Sequence, residues 1–513
     1  MHAPRIQHTP RRNRGGFWPG LILLALLSVF PGYAEAPPAT PGGVSSLGDF
    51  AEFLSTRIPE LMEKYGVPGV AVALVSNNGP AWERAFGFAD AEERTPMTTD
   101  AIFRVESISK SVTAWGVMTL IEEGLLDLDD PITAHLPDWS FPQSEFPVDE
   151  VTVGRVLSNT SGMGIGAFGN EYAPDGRIPS LVESVREEAR LVAEAGTTFI
   201  YSNAGYHLLE LLIEEVTGDD FATVMSEAVL EPLGMVDASF RWSRDFDNRI
   251  PMGYETDGTP VPVYVYPAAA SGGLFAGVTD IARFVAAGMN PTAVQGVPSE
   301  VPSRLYAPQI EIGGMYGVVS DWYGYGHFLE ERADGTVAVW HGGQGHGWMS
   351  HFHSIPEAGE GIVILTNSQR SWPFIGEVVR DWSRWTGAGT VQMARLAYVT
   401  PIIRIVIGLI AASALLLLMV VVRGLVTGRR RFAFGAGGVK GKAACLIRAI
   451  SGVVLIAIVI WRASMPYVFE TSIFPADITT LAAVVVALGV VLLFSGIVGK
   501  VAHGHGKAPH RPD

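Results

Sequence analysis

The amino-acid sequence predicts an α+β domain followed by a three-helix transmembrane region. Short apolar strands lie near both ends of the segment 47–388, and helical patterns separated by Gly- and Pro-rich loops lie between them. Strands at both ends of one domain favour a common sheet in which the terminal strands pair. Long apolar stretches then follow towards the C-terminus, and they are long enough to cross a membrane.

The composition excludes several classes of protein. The chain has 513 residues, with 52 acidic and 36 basic side chains, so the formal net charge is −16. This acidic balance argues against nucleic acid as a partner, because phosphate binding needs a basic face. A hydrophobic content of 48% with 12 Trp excludes disorder. The single cysteine, Cys445, excludes an internal disulfide and a cysteine-rich metal site.

Residues 1–36 are typical of an export signal peptide. A basic start at Arg11–Arg14 precedes the apolar run Leu21–Phe30, and the sequence Ala-Glu-Ala at 34–36 is typical of a cleavage site. An uncleaved anchor helix is the alternative interpretation. Residues 37–46, rich in Pro and Gly, are predicted to be a linker.

The hydrophobic periodicity identifies the first and last elements of the domain 47–388. Helical spacing predicts a first helix over Leu47–Lys64 and a closing helix over Phe374–Trp385. Short apolar runs predict strands at Gly69–Ser76, Trp82–Phe88, Val337–Trp340, Met349–His353 and Gly361–Leu365.

Three apolar stretches predict transmembrane helices over 405–422, 443–461 and 478–498. The first and last carry no charge and can span about 30 Å of hydrocarbon. Arg448 lies near one end of the middle stretch and can snorkel. These lengths argue against buried core helices. Residues 389–404 are predicted to be a linker, and residues 499–513 a cytoplasmic tail.

Charge placement predicts the orientation of these helices. The loop between the first two spans and the C-terminal tail are basic, whereas the loop 462–477 carries Glu470 and Asp477. Basic loops stay in the cytoplasm. The domain 47–388 is therefore expected on the periplasmic or extracellular side of a bacterial cytoplasmic (inner) membrane, as an export signal also requires.

Ser107 and Lys110 are the first candidates for chemistry. They stand three residues apart at the start of a helical pattern, so they share one helix face. An amine beside a hydroxyl can activate it as a nucleophile. Lys64 and Lys110 are the only lysines between residues 37 and 400. The motif alone is still better explained by a helix N-cap with a solvated lysine.

Two further motifs indicate a function only in combination with Ser107 and Lys110. Tyr201-Ser202-Asn203 precedes a helical run, and a phenol can act as a general base while an amide can hold a carbonyl. His341-Gly342-Gly343 follows the strand Val337–Trp340, where freed N–H groups can hold an oxyanion. Taken singly, the first is typical of a turn with an N-cap, and the second of a turn with a surface histidine.

Together, Ser-x-x-Lys, Tyr-x-Asn and a strand-borne His-Gly-Gly resemble the serine β-lactamase and penicillin-binding protein superfamily, and the tyrosine points to its class C-like branch. The resemblance covers about residues 47–388. It implies a β-lactamase/transpeptidase-like domain, an antiparallel sheet flanked by helices with a helical subdomain. Flanking segments fit as well: Phe103–Glu106, Leu157–Gly162, Glu231–Met235 and Ser271–Leu274.

The resemblance implies acyl transfer through a serine ester, with neither a cofactor nor a metal ion. Ser107 would attack a carbonyl carbon, while Lys110 and Tyr201 would share the acid–base work. Asn203 would orient Lys110 or the acyl side chain. The oxyanion would be held by the backbone N–H groups of Ser107 and Gln344, beside the motif residues His341, Gly342 and Gly343.

Two departures from the family pattern bear on the substrate. Many relatives carry Lys-Thr-Gly where this chain has His341-Gly342-Gly343, and a neutral histidine holds a substrate carboxylate less firmly than a lysine does. Hydrolysis is therefore expected, and efficient β-lactamase activity is not. Asn159 stands where relatives often carry histidine, and no catalytic role is assigned to it.

Other histidines receive structural interpretations. His346 is interpreted as a loop residue near the site rather than as a metal ligand with His341, because no carboxylates stand at ligand spacing in the sequence. His351 and His353 alternate along a strand, so one face of a sheet explains them.

The sequence therefore predicts a membrane-anchored serine hydrolase that acts on an amide or ester: a cell-wall peptide, a D-amino-acid ester or another ester. Expected partners are this substrate and membrane lipid, with a membrane protein partner left open. Two alternatives also stay open, a true β-lactamase and a penicillin-recognising sensor that binds without turnover. The intact set of Ser107, Lys110, Tyr201 and Asn203 argues against a dead site.

Overall fold

The structure is a computed structural model. It describes residues 46–166, 170–293, 299–387, 389–432, 438–464 and 477–500. The predicted signal peptide, the linker up to residue 45 and the tail from residue 501 lie outside the described residues.

Runs of strands near both ends of the domain enclose a mostly helical middle part, and long helices follow at the C-terminus. The helices are α1 (Leu47–Tyr65), α2 (Ile108–Glu122), α3 (Ile132–His135), α4 (Val153–Leu157), α5 (Leu181–Glu188), α6 (Asn203–Thr217), α7 (Phe221–Met225), α8 (Val278–Met289), α9 (Glu300–Leu305), α10 (Ser371–Trp385), α11 (Val399–Val426), α12 (Gly438–Ala463) and α13 (Ile478–Ile497). The strands are β1 (Gly69–Ser76), β2 (Gly79–Asp90), β3 (Thr95–Pro96), β4 (Phe103–Arg104), β5 (Gly253–Tyr254), β6 (Pro260–Val261), β7 (Phe275–Ala276), β8 (Ile310–Glu311), β9 (Trp322–Tyr323), β10 (Phe328–Glu331), β11 (Val337–Gln344), β12 (Met349–Ile355), β13 (Glu360–Thr366), β14 (Arg430–Phe432) and β15 (Val498–Lys500).

A nine-stranded sheet organises the domain, in the order β3-β2-β1-β13-β12-β11-β10-β9-β8. All of its neighbouring strands are antiparallel. In the middle of β1, Val72 pairs with Arg84 on one side and with Ile364 on the other. The first and last long strands are therefore neighbours, which confirms the predicted α+β sheet.

Two hydrophobic cores lie on opposite faces of this sheet. Side chains of a strand point alternately to its two faces, and β1 shows the pattern directly. Val70, Val72 and Leu74 belong to one core with α1 and α10. Ala71, Ala73 and Val75 belong to the other core with α2, α6 and α8. Because β1 is covered on both faces, its sequence is a continuous apolar run.

Helix α2 is buried on every side and places the start of the Ser-x-x-Lys motif beside the sheet. Its residues from Ile108 to Met118 are all buried, as expected of a helix without a polar face. Trp115 packs edge-on against Phe284 of α8, with ring centroids 5.5 Å apart. The helix is therefore held firmly between the sheet and the helical subdomain.

The C-terminal helices α11, α12 and α13 are long and apolar enough to be candidate membrane spans. Most of the predicted linker 389–404 is helical, because a 3-10 helix over Gln392–Tyr398 leads directly into α11. Arg404 interrupted the apolar run in the sequence, but it lies on α11 and pairs with Asp477 at 3.1 Å, just before α13.

Candidate active site

Ser107 stands at the N-cap position of α2. Its side chain makes no capping hydrogen bond, so the N-cap explanation of this serine is wrong. Its Oγ lies 3.3 Å from Lys110 Nζ, one helical turn further on. The positive end of the helix dipole also stabilises negative charge that develops on this oxygen.

Lys110 is fully buried and is not a solvated lysine. Its Nζ donates to Asn203 Oδ1 and to the backbone oxygen of Ser271, both at 2.7 Å. Burial lowers the pKa of Lys110 well below its ordinary value, although the charge of Glu106 partly opposes this. A neutral amine has two N–H groups and one lone pair. In the neutral amine these two acceptors would take both N–H groups, and the lone pair would face Ser107 Oγ.

Tyr201 completes this group from the loop before α6. Its ring centroid lies 4.9 Å from Lys110 Nζ, and the ring stacks on Tyr316 with centroids 5.5 Å apart. Burial raises the pKa of Tyr201 well above its ordinary value, and the nearby phenols of Tyr323 and Tyr316 raise it further. Hydrogen bonding with Ser107 acts in the opposite direction. The phenol therefore keeps its proton at neutral pH and is suited to act as an acid.

Asn159 holds the loop that carries Tyr201, a role that the sequence analysis did not assign. Its backbone adopts the left-handed region, with φ 57°, which Asn tolerates better than most residues. Its Oδ1 accepts from Ser202 N at 3.0 Å, and its backbone oxygen accepts from Ile200 N at 2.8 Å. The departure from the family pattern thus lies at a positioning residue.

Glu106, immediately before the nucleophile, is also in the left-handed region, with φ 51°. Its carboxylate accepts from Arg104 Nε at 2.9 Å and from the hydroxyls of Tyr264 and Tyr266 at 3.1 and 2.9 Å. Strained backbone persists only where surrounding contacts hold it in place. This buried network holds the backbone of Glu106 in place and thereby fixes the direction in which the side chain of Ser107 points.

Strand β11 forms the opposite wall of the site, and it extends further than predicted. The motif His341-Gly342-Gly343 lies inside the strand, since Gly342 pairs with His351 and Gly343 with Ser350 on β12. A Cβ at Gly343 would lie 2.2 Å from the backbone oxygen of Val105. This glycine therefore lets the chain before Ser107 approach the strand, and the predicted turn is wrong.

His341 is completely buried, so the surface-histidine interpretation is wrong as well. Its Nδ1 donates to the backbone oxygen of Gly342 at 2.9 Å, and its Nε2 lies 3.5 Å from the hydroxyl of Tyr323. Burial, and then the charge of Lys110, lowers its pKa well below the ordinary value. His341 is consequently neutral and presents no cation to a substrate.

Ser107, Asn203 and Gln344 line one pocket. Its lining contains carboxylates but no lysine or arginine among the residues that the structure describes. The remaining lining residues are Glu106, Asn170, Ser184, Glu188, His207, Tyr266, Pro267, Ala268, Ser271 and Gly272.

His346 lies two residues beyond Gln344, and the fold brings to it two carboxylates that the spacing in the sequence did not indicate. Its Nδ1 bonds to Glu171 Oε2 at 3.0 Å and its Nε2 to Glu255 Oε1 at 2.9 Å. Both carboxylates come from distant parts of the chain. Hydrogen bonding with Glu171 is the largest effect that raises the pKa of His346 to about 9. Each nitrogen faces a different carboxylate, which is ion-pair geometry rather than a shared metal site.

The family model described as Beta-lactamase matches residues 54–379. The chain belongs to this family. Protein flp from Staphylococcus aureus (strain MRSA252) is 23% identical over 326 residues, which cover 62% of this chain and 63% of that relative. Penicillin-binding protein 4 from Amycolatopsis lactamdurans is 26% identical over 342 residues, which cover 63% of this chain and 87% of that protein.

Solved structures show the same fold. The octameric penicillin-binding protein homologue from Pyrococcus abyssi aligns with a TM-score of 0.54 and 28% identity over 62% of this chain and 73% of that one. A class C beta-lactamase mutant aligns with a TM-score of 0.53 and 20% identity over 62% of this chain and 92% of that one. The predicted resemblance and fold class are confirmed, and the family supports a serine hydrolase in general terms.

Proposed function

We propose that the protein is a membrane-anchored serine hydrolase that cleaves an amide or ester through an acyl–Ser107 intermediate. The observation that carries the proposal is the environment of Lys110. Its amine is buried, is held by two acceptors at 2.7 Å and directs its remaining position at Ser107 Oγ. A lysine in such a place can work as a general base near neutral pH.

The steps follow from these proton positions. Lys110 takes the proton of Ser107 while Oγ attacks the carbonyl carbon, and the backbone N–H groups of Ser107 and Gln344 hold the oxyanion. Tyr201 then gives its proton to the leaving amine or alkoxide as the bond to carbon breaks, and Lys110 returns a proton to Tyr201. A water molecule, deprotonated by the same base, hydrolyses the serine ester.

The charges around the pocket support a substrate without an essential carboxylate. Glu106 and Glu188 line the pocket, and His341 is buried and neutral. Among the described residues that line the pocket, no lysine or arginine is present to bind a substrate carboxylate. An ester or amide that is uncharged or cationic near the reacting bond fits better than a β-lactam. A D-amino-acid ester or amide with a free amino group belongs to this class, whereas a cell-wall peptide fits only if it carries no free carboxylate next to the bond that is cleaved.

The three apolar helices support membrane anchoring. We further propose that the domain faces the periplasmic or outer side of the membrane, because the loop after α11 is basic. Labelling of intact and of permeabilised cells with a membrane-impermeant reagent at an engineered surface cysteine of the domain tests this orientation.

The main experiment uses the detergent-solubilised full chain with a fluorophosphonate probe and peptide mapping. The label is expected on Ser107, and Ser107→Ala should lower ester hydrolysis by about 10³-fold or more. Ser303→Ala, a change at an exposed position of α9, is the matched control. Label elsewhere, or full activity in Ser107→Ala, contradicts the proposal. One acyl group bound per chain without repeated product release would instead identify a sensor.

A further inference from the structure

Helix α6 presents three polar side chains towards Lys110 and the loop 269–271. Asn203, His207 and Glu210 are spaced so that they lie on one face of the helix. Asn203 reaches Lys110, as described above. Glu210 Oε2 accepts from the backbone N–H groups of Ala269 and Ala270 at 2.6 and 2.7 Å. His207 has a contact of its own with this loop, and the mechanism above does not use it.

His207 joins Glu188 to Ser271 inside the pocket wall. Its Nδ1 lies 2.9 Å from Glu188 Oε2, and its Nε2 lies 2.7 Å from Ser271 Oγ. The side chains of His207 and Glu188 are only 9% and 8% exposed. Since a carboxylate accepts the Nδ1 proton, Nε2 is left to accept the hydroxyl proton of Ser271.

Ser271 is bound at both its side chain and its backbone. Its hydroxyl donates to His207, while its backbone oxygen accepts from Lys110 Nζ. A rotation that moved this carbonyl away would free one N–H of the amine. That N–H could then turn towards Ser107, and the lone pair would point elsewhere.

We propose that Glu188, His207 and Ser271 form a positioning relay that holds the Ser271 carbonyl against Lys110 and thereby keeps the lone pair of the base on Ser107. The inference rests on the proposed function, because it assigns Lys110 the role of base. The three residues act through Lys110 and do not touch the reacting atoms. The sequence offers no local signal for the relay, since its members come from α5, α6 and a distant loop.

The relay makes a specific prediction for the rate of Ser107 phosphonylation by a fluorophosphonate. His207→Leu should lower the maximal inactivation rate about tenfold or more, since small misplacements of catalytic groups are costly. The concentration for half-maximal rate should change less than about twofold, because probe binding does not involve the amine. His207→Gln should restore most of the rate, since its amide can accept from Ser271 and donate to Glu188.

A double-mutant cycle separates the relay from a general packing effect. Ser271→Ala should match His207→Leu, and the double variant should be no slower than either single variant. Additive losses, or an unchanged rate in His207→Leu, overturn the relay. His135→Ala is the matched control, because His135 pairs with Asp130 at 2.8 Å outside the pocket. Thermal unfolding of each variant confirms that the fold is retained.

The outcomes also distinguish this inference from the proposed function. Absence of label on Ser107 of the native chain overturns the proposed function and the relay with it. Label on native Ser107 at a rate that the His207 substitutions do not alter overturns the relay alone. Label on Ser271 would show that Ser271 is itself a nucleophile, activated by His207 and Glu188. That result would also contradict a positioning role.

Discussion

His341 and His346 stand five residues apart at the end of β11, yet their environments are opposite. His341 is buried among aromatic rings, including Phe328 at 5.1 Å between centroids, and burial lowers its pKa. His346 is partly exposed between Glu171 and Glu255, and its pKa is raised to about 9. One is neutral and the other cationic at pH 7.

The opposite pKa shifts of these two histidines show that the tertiary environment sets the charge of each side chain. Neither environment is made by sequence neighbours, because strands and loops from distant parts of the chain supply the rings and the carboxylates. The pocket at Ser107 is therefore bordered by a neutral strand wall, and the cationic His346 is already neutralised by its two carboxylates.

The largest expected effect is a loss of stability at low pH, caused by the buried histidines. These are His341, His327, His351 and His353. Burial lowers the pKa of His327 to about 4 and that of His351 to about 3, and His353 is also lowered. The unfolded chain binds protons below about pH 6.5 that the folded protein excludes, so stability is lost as the pH falls. These four histidines alone should lower the free energy of unfolding by up to about 5 kcal/mol per pH unit between about pH 6 and 4.5. Burial raises the pKa of Glu210 to about 8 and that of Glu330 to about 7, and these two carboxyl groups offset up to about half of that fall.

Denaturant unfolding of the detergent-solubilised chain over this pH range measures the slope. In a variant with His351→Met and His353→Met, two of the four histidines are gone, and the slope should become shallower by about half of the four-histidine contribution. An equal slope in native protein and variant would show that these histidines accept protons without unfolding.

The next effect concerns the ion-paired histidine. Because its pKa is raised from 6.5 to about 9, His346 stabilises the fold fully below about pH 6.5, and this contribution is lost as the pH rises through 9. His346→Gln should cost about 1 kcal/mol at neutral pH, a small value because the side chain is 37% exposed and solvent screens the pair. Unfolding midpoints at about pH 6.5 and 10 should show the cost shrinking towards zero, and a pH-independent cost would contradict the assignment.

The smallest effect is expected at His341. Since this ring is already neutral, His341→Gln should leave the shape of the pH profile for Ser107 phosphonylation unaltered between about pH 6 and 8, with a rate change below about threefold. Inactivation rates across this range provide the measurement. Loss of a limb near pH 6.5 in the variant would show that His341 titrates in the native protein.

Much of the fold was predictable because its strands and helices are strongly apolar. Gly69–Ser76 and the two end helices follow directly from periodicity. The length of β11 was not predictable, since glycines and histidine are poor strand signals, and only pairing with β12 keeps the segment extended. The prediction of a linker over 389–404 was also wrong. Arg404 interrupts the apolar run in the sequence, but a single arginine does not end a helix.

The central site residues were predictable only as a pattern. Ser107, Lys110, Tyr201 and Asn203 were identified by their order along the chain, and the structure brings them together. Asn159, Arg104 and Glu106 act by holding backbone in place, which leaves no chemical signature in the sequence. His207 and Ser271 contact each other across 64 residues, a distance that no local pattern reports.

The 3-10 helix Gln392–Tyr398 determines how the domain is connected to the three apolar helices. Met393 and Ala394 are packed in the core with α10, and Gln392 N donates to the Glu330 carboxylate at 2.8 Å. The described chain between α10 and α11 is thus part of the domain rather than a flexible tether. With the proposed anchoring by α11, α12 and α13, the fold would set the distance between Ser107 and the membrane surface. A substrate of the proposed hydrolase would then have to reach that surface.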